Sequence, residues 1–246
     1  MPLRAHLLEL RKRIFLAALG ILLGAIVGWV LYDPVFTALT DPLIHTAEER
    51  GILAAPNFGG VATAIDMRVK VAVFLGALVS SPWWLYQLFA FITPGLTGRE
   101  KRYAFGFLGA AVPLFAAGAA VAWFLLPRAV AILNDFVPEG SASLIDAQNY
   151  LSFVMRFILA FGIAFLVPVV MVTLTLLGIV AAATWLKGWR WAVLISFTFS
   201  AVMTPTADVL SMIAIALPIC ALYFAAYAVC ALHDRRTANR RVAPQI

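Results

Sequence analysis

Two carboxylates stand inside runs of cations. Glu9 lies in "HLLELRKRI", residues 6–14, two positions before Arg11 and four before Arg13. Glu100 lies in "TGREKRY", between Arg99 and Lys101. A carboxylate presents two oxygens in one plane and matches the fork of a guanidinium, so two of them at one interface suit the capture of an arginine-bearing ligand. A local reading competes. Glu9 and Arg13 can form an i,i+4 pair worth about 0.2–0.5 kcal/mol, and Glu100 can stand at the positive end of a following helix. Residue types alone leave both readings open.

Other chemistry is hard to find. His6, His45 and His233 all fall outside the apolar runs and form no ligand set with the two cysteines, so no metal site is expected. Cys220 and Cys230 share one apolar run; ten residues of helix rise about 15 Å, too far for a disulfide. Both read as small buried hydrophobes. There is no P-loop and no dinucleotide fingerprint, so no cofactor is expected. The "GSAS" stretch at 140–143 has no intramembrane histidine to accompany it, which disfavours a serine protease. A coupled small-solute transporter, the competing class, would carry carboxylates near the membrane midplane. The centres of the apolar runs hold none, and Arg156 stands near one end of its run, where it can snorkel. A binding protein remains, with its polar groups gathered at one surface.

The elements that must position those groups are membrane spans. The 246 residues are 63% hydrophobic and 12% charged, against about 25% charged in a soluble domain. Six apolar runs are long enough to consider, at about 14–32, 69–92, 103–126, 151–177, 191–203 and 209–231. The first is too long for a cleaved leader and is read as a retained span. With the amino terminus inside, the inner segments hold 13 of the 18 Lys and Arg residues, among them Arg11, Lys12, Arg13, Arg99, Lys101, Arg102 and the basic tail from 232 to 246. The positive-inside rule then places both termini in the cytoplasm. Pro82, Pro113, Pro168 and Pro218 interrupt spans two, three, four and six, so bent helices are expected. The fifth run, 13 residues, is only about 20 Å long as helix. The outer loops, 33–68 and 127–150, read as segments ordered by turns. The fold class expected is all-α and integral to the membrane, a single polytopic domain of six transmembrane helices kinked by prolines.

Several motifs carry a resemblance to a known family. "HLLELRKR", "PWWLYQLFAFITPGLTGREKR", "NYLSFVM" followed by "FGIAFLVP", and "TPTADVLS" followed by "ALP" together resemble the TatC family of the twin-arginine protein translocase over about residues 2–236. The resemblance implies six helices in a cupped array with short fifth and sixth spans, in the bacterial cytoplasmic membrane. It implies a non-enzymatic receptor that binds twin-arginine signal peptides of folded precursors, driven by the proton gradient. It implies single-span TatA- and TatB-like partners and self-association in the complex. The family's signal-binding glutamates fall on Glu9 and Glu100, with Arg11, Arg13, Phe91, Pro94 and Leu96 beside them. Its outer-face positions fall on Pro42, Asp146 and Asp208.

Three positions depart from the family pattern. Leu166, Phe224 and Met212 stand where Glu or Gln, Glu, and Gln are usual, which removes polar groups expected to meet the partner proteins. Ser196, Ser200 and Thr204 recur at i,i+4 in span five and share one face. Small hydroxyls promote close helix packing in membranes. That face serves either packing within the chain or the docking of a partner's helix.

Overall fold

A computed structural model describes residues 3–48, 54–57, 59–92, 98–134, 143–203 and 209–242. The chain is helical almost throughout. The first crossing is α1 (Leu3–Val30). The second is two helices, α3 (Val61–Val79) and α4 (Ser81–Ile92), with the break at Ser80. There the Ser80 hydroxyl donates to the Gly76 carbonyl at 2.6 Å, and the amides of Trp83 and Trp84 donate to the Ser80 carbonyl at 2.9 and 3.1 Å. Pro82 sits in the first turn of α4, where it lacks only an amide that would be orphaned anyway. The third crossing is α5 (Gly98–Asn134). The fourth is again divided, into α6 (Ala147–Ala164) and α7 (Val167–Leu176), with Pro168 in the first turn of α7. A six-residue α8 (Ala182–Lys187) leads to α9 (Trp189–Met203) and α10 (Val209–Val242).

Two of the four span prolines therefore mark true helix breaks. Pro113 and Pro218 stay inside continuous helices. The fifth span is short, 15 residues, as its sequence indicates. The sixth is not: α10 carries its apolar run on through the basic tail as one helix of 34 residues, so shortness belongs to α9 alone.

The loops at 33–68 and 127–150 correct the expectation of turns. The first contains a 17-residue helix, α2 (Tyr32–Glu48), even though Pro42 lies inside it. Burial explains the helix. Leu39 and Leu43 are 2% and 1% exposed, and the Tyr150 hydroxyl of α6 donates to the Leu39 carbonyl at 3.1 Å. The two loops also meet through a short parallel ladder, β1 (Ala54–Asn57) on β2 (Ser143–Asp146), with Ala54 opposite Ser143.

The helices pack in an open row. Helix α1 lies against α3 and α4; α4, α2 and α7 meet α5; α5 packs on α6; α7, α8 and α9 gather on α10. The core follows this order. Met67, Val71, Leu126, Leu151, Phe157 and Phe161 fill one cluster, and Leu85, Phe89, Phe115, Leu166 and Val169 fill a second near α4 and α7. Helix α1, at the end of the row, leaves most of its apolar side chains, such as Phe15 at 67%, open to lipid.

Candidate functional site

The start of α1 and the end of α10 share one face of the bundle, called here the terminal face; β1 and β2 mark the opposite, sheet face. The terminal-face site is built by a close approach of α1 to α3 and α4. Gly20, Gly24 and Gly28 recur every four residues along one side of α1. A Cβ at Gly28 would lie 2.5 Å from the Ala72 carbonyl oxygen, and one at Gly24 would lie 2.8 Å from that of Gly76. Only glycine leaves room for backbones this close, the small-residue packing typical of membrane helices. Gly20 is covered by the Trp83 ring, whose indole N–H donates to the Leu16 carbonyl at 2.9 Å.

One turn further toward the terminal face, Arg13 reaches α4. Its guanidinium donates to the Gln87 side-chain oxygen at 3.0 Å. Gln87 is 2% exposed, an amide held inside the bundle with the arginine as its partner. The same guanidinium stands 3.6 Å from Glu9, an ion pair longer than a hydrogen bond. The Arg13 Nε is buried and has no hydrogen-bond partner among the described residues. At the end of the ladder His6 stacks on Phe91, ring centroids 4.5 Å apart. Arg11 is exposed. So Glu9, Arg13 and Phe91 come together through α1 and α4. Glu100 lies in the first turn of α5, with its side chain outside the described residues, as are Pro94 and Leu96.

Sequence reasoning missed Gln87 and the glycine ladder, and both had a signal. A lone amide inside the apolar run "WWLYQLFAF" calls for a named polar partner. The glycine spacing is a small-xxx-small pattern.

The sequence as a whole matches a family model, Sec-independent protein translocase protein (TatC), over residues 5–218. A TatC protein of Xylanimonas cellulosilytica is 57% identical, over 99% of this chain and 88% of that protein. One of Rothia mucilaginosa is 38% identical, over 96% and 81%.

The chain belongs to the TatC family.

The fold agrees. A crystal structure of the twin-arginine translocase receptor TatC superposes with a TM-score of 0.80 at 28% identity, covering 92% of this chain and 99% of that one. A protein translocase component of the bacterial membrane is therefore the setting in which the remaining TatC-family positions are read.

At the sheet face, Asp146 caps α6: it accepts from the Gln148 amide at 2.9 Å and from the Asn149 side chain at 2.7 Å. Pro42 lies within α2. Asp208 and Thr204 lie outside the described residues. In α9, the Ser196 hydroxyl donates to Ala192 at 2.8 Å, and the buried Ser200 hydroxyl donates across to the Met212 carbonyl of α10 at 2.6 Å. The hydroxyl stripe is thus used, at least at Ser200, to pack α9 on α10. Leu166 is buried in the second core cluster, and Phe224 is exposed. Beside the stripe runs an apolar groove of about 760 Å³, lined by Ile163, Val167, Trp191, Ser196, Phe199 and Tyr223.

Proposed function

We propose that this chain is the receptor core of a twin-arginine translocase, binding the paired arginines of a precursor's signal peptide at the terminal face through Glu9 and Glu100. The observation that carries this reading is the division of Arg13. Its hydrogen bond goes to buried Gln87 at 3.0 Å, while Glu9 is met only at 3.6 Å. The Glu9 side chain keeps 24% of its surface exposed and retains acceptor capacity for an incoming guanidinium. Lysine would bring the charge without the planar fork, which accounts for selection of arginine. Phe91, with Pro94 and Leu96 in the following segment, would flank the peptide, and Arg11 would set its approach.

The terminal face is cytoplasmic in this reading, with both chain ends inside. The chain performs no catalysis of its own, and the proton gradient supplies the work. Single-span TatA- and TatB-like proteins complete the translocase, and copies of the chain associate within it. The groove beside α9 would take a partner helix along its surface and not within it, since its 760 Å³ holds fewer than two turns at about 420 Å³ each, taking a 10 Å diameter and 5.4 Å pitch.

The deciding experiment compares binding of a twin-arginine signal peptide with its twin-lysine version to the purified chain in nanodiscs, at low and high salt. Preference for arginine that is lost in Glu9→Gln and Glu100→Gln supports the reading. Wild-type binding by both variants at low salt would leave the two carboxylates as helix-end charges. Orientation is checked separately: cysteines at positions 97 and 237 should label only from the cytoplasm, and one at position 141 only from outside.

A further inference from the structure

A second groove lies between α3 and α6, nearer the sheet face, with a volume of about 390 Å³. Its lining changes character along its length. Lys70, Ser152 and Arg156 are its polar groups, and Val73, Ala77 and Leu159 are among its apolar ones. The two helices run in the same direction, and the Gln148 side chain donates to Asp66 at 3.0 Å, which sets Asp66 level with Gln148. Lys70 is then level with Ser152. Arg156 starts one turn deeper, about 6 Å, and a guanidinium on a flexible stem can reach back toward that level. Ala77 and Leu159 come deeper still. The groove is thus polar above and apolar below.

Charge is uneven in it. Lys70 is neutralised by Asp66 at 2.6 Å. Arg156 is exposed on a helix that crosses the membrane, and it forms no hydrogen bond or ion pair with any described residue. An unpaired cation at membrane depth is expensive without an anion. Among the described residues the site therefore carries one positive charge without a counter-charge, above an apolar trough. Its volume is less than that of a single helical turn, about 420 Å³, so a transmembrane helix would rest across it and not fill it. An extended acyl chain needs no such width. Asp66 accepts from both Lys70 and Gln148 through Oδ2, so its charge is already matched within the site by Lys70.

We propose that the α3–α6 groove is a binding site for an anionic phospholipid, its phosphodiester held by Arg156 with Lys70 and Ser152, and an acyl chain lying along Val73, Ala77 and Leu159. The site is independent of the terminal-face glutamates.

Native mass spectrometry of the full chain in detergent, with phosphatidylglycerol and phosphatidylcholine supplied in equal amounts, tests it. One phosphatidylglycerol should bind with about tenfold preference, the equivalent of one charge-assisted hydrogen bond. Arg156→Gln should abolish the preference and Arg156→Lys should keep most of it. Leu159→Trp should lower binding of both lipids by filling the trough. Equal binding of the two lipids by the wild-type chain overturns the proposal, even if Arg156→Gln fails to accumulate. So does an unchanged preference in folded Arg156→Gln, or capture of a protein helix, not lipid, by a photocrosslinker at position 73.

Discussion

The polar clusters at the two faces of the bundle are built from the same residue types and hold them differently. At the sheet face two carboxylates, Asp66 and Asp146, are engaged in close hydrogen bonds. Asp66 takes Lys70 at 2.6 Å and Gln148 at 3.0 Å, joining α3 to α6, and Asp146 takes an amide and a side chain of its own helix. Arg68 is sandwiched between Trp29 and Tyr32, 5.1 and 5.0 Å from the ring centres, with Asp33 at 3.9 Å. At the terminal face Glu9 has, among the described residues, only a long ion pair, to an arginine whose hydrogen bond goes to Gln87. Satisfied carboxylates fix helices in place. A carboxylate with spare acceptor capacity at an interface can take a ligand. The two faces should therefore respond to mutation in opposite ways: one in stability, the other in binding.

The sharpest break between them is expected at Glu100. Glu100→Gln should weaken twin-arginine peptide binding up to about 100-fold, the loss of a bidentate charge-assisted pair, with insertion unchanged. Glu9→Gln should act in the same direction and less strongly, since Arg13 stays nearby. Peptide titration in nanodiscs reads both, and a change in thermal unfolding without a change in affinity would erase the distinction between the faces. Gly24→Leu should cost about 1–3 kcal/mol by overpacking against Gly76. It should also lower peptide affinity, because the glycine ladder sets the approach of Arg13 to Gln87; denaturant unfolding and peptide titration on one sample separate the two effects. Asp146→Ala removes the α6 cap and should cost about 1 kcal/mol of stability, read as a lower unfolding midpoint, while peptide affinity stays at the wild-type value. The smallest effect is expected for Gln87→Leu. Released from Gln87, Arg13 closes on Glu9 and competes with the ligand, which should reduce affinity about threefold at low salt, within the worth of one neutral hydrogen bond. Tighter peptide binding by this variant would show that Gln87 does not hold Arg13 away from Glu9.

Much of the fold could be read from hydropathy, because a membrane span must satisfy its own backbone and is therefore a helix wherever about 20 apolar residues run together. The α1, α5 and α10 crossings follow from that rule. Prolines were a weaker guide. Pro82 and Pro168 coincide with breaks, whereas Pro113 and Pro218 do not, since neighbouring helices decide whether a freed carbonyl finds another partner. Helix α2 was not legible at all: two prolines and several polar residues read as turns, and it is the burial of Leu39 and Leu43 under α5 and α6 that makes it a helix.

What the sequence by itself determined is the class of protein, the number of crossings, the membership of the TatC family and the presence of Glu9 and Glu100 within basic runs beside spans. These depend on composition and local spacing. What only the tertiary structure decided is who holds whom. The sequence separation of 74 between Arg13 and Gln87 carries no pattern that pairs them. Gly24 and Gly28 bring α1 onto α3 and Gly20 admits Trp83 of α4, which sets α1 near enough to α4 for that bond, and Glu9 is left with a 3.6 Å partner in place of a closed one. Spare acceptor capacity is a property of that competition between three side chains on two helices, so it exists only once the helices are packed.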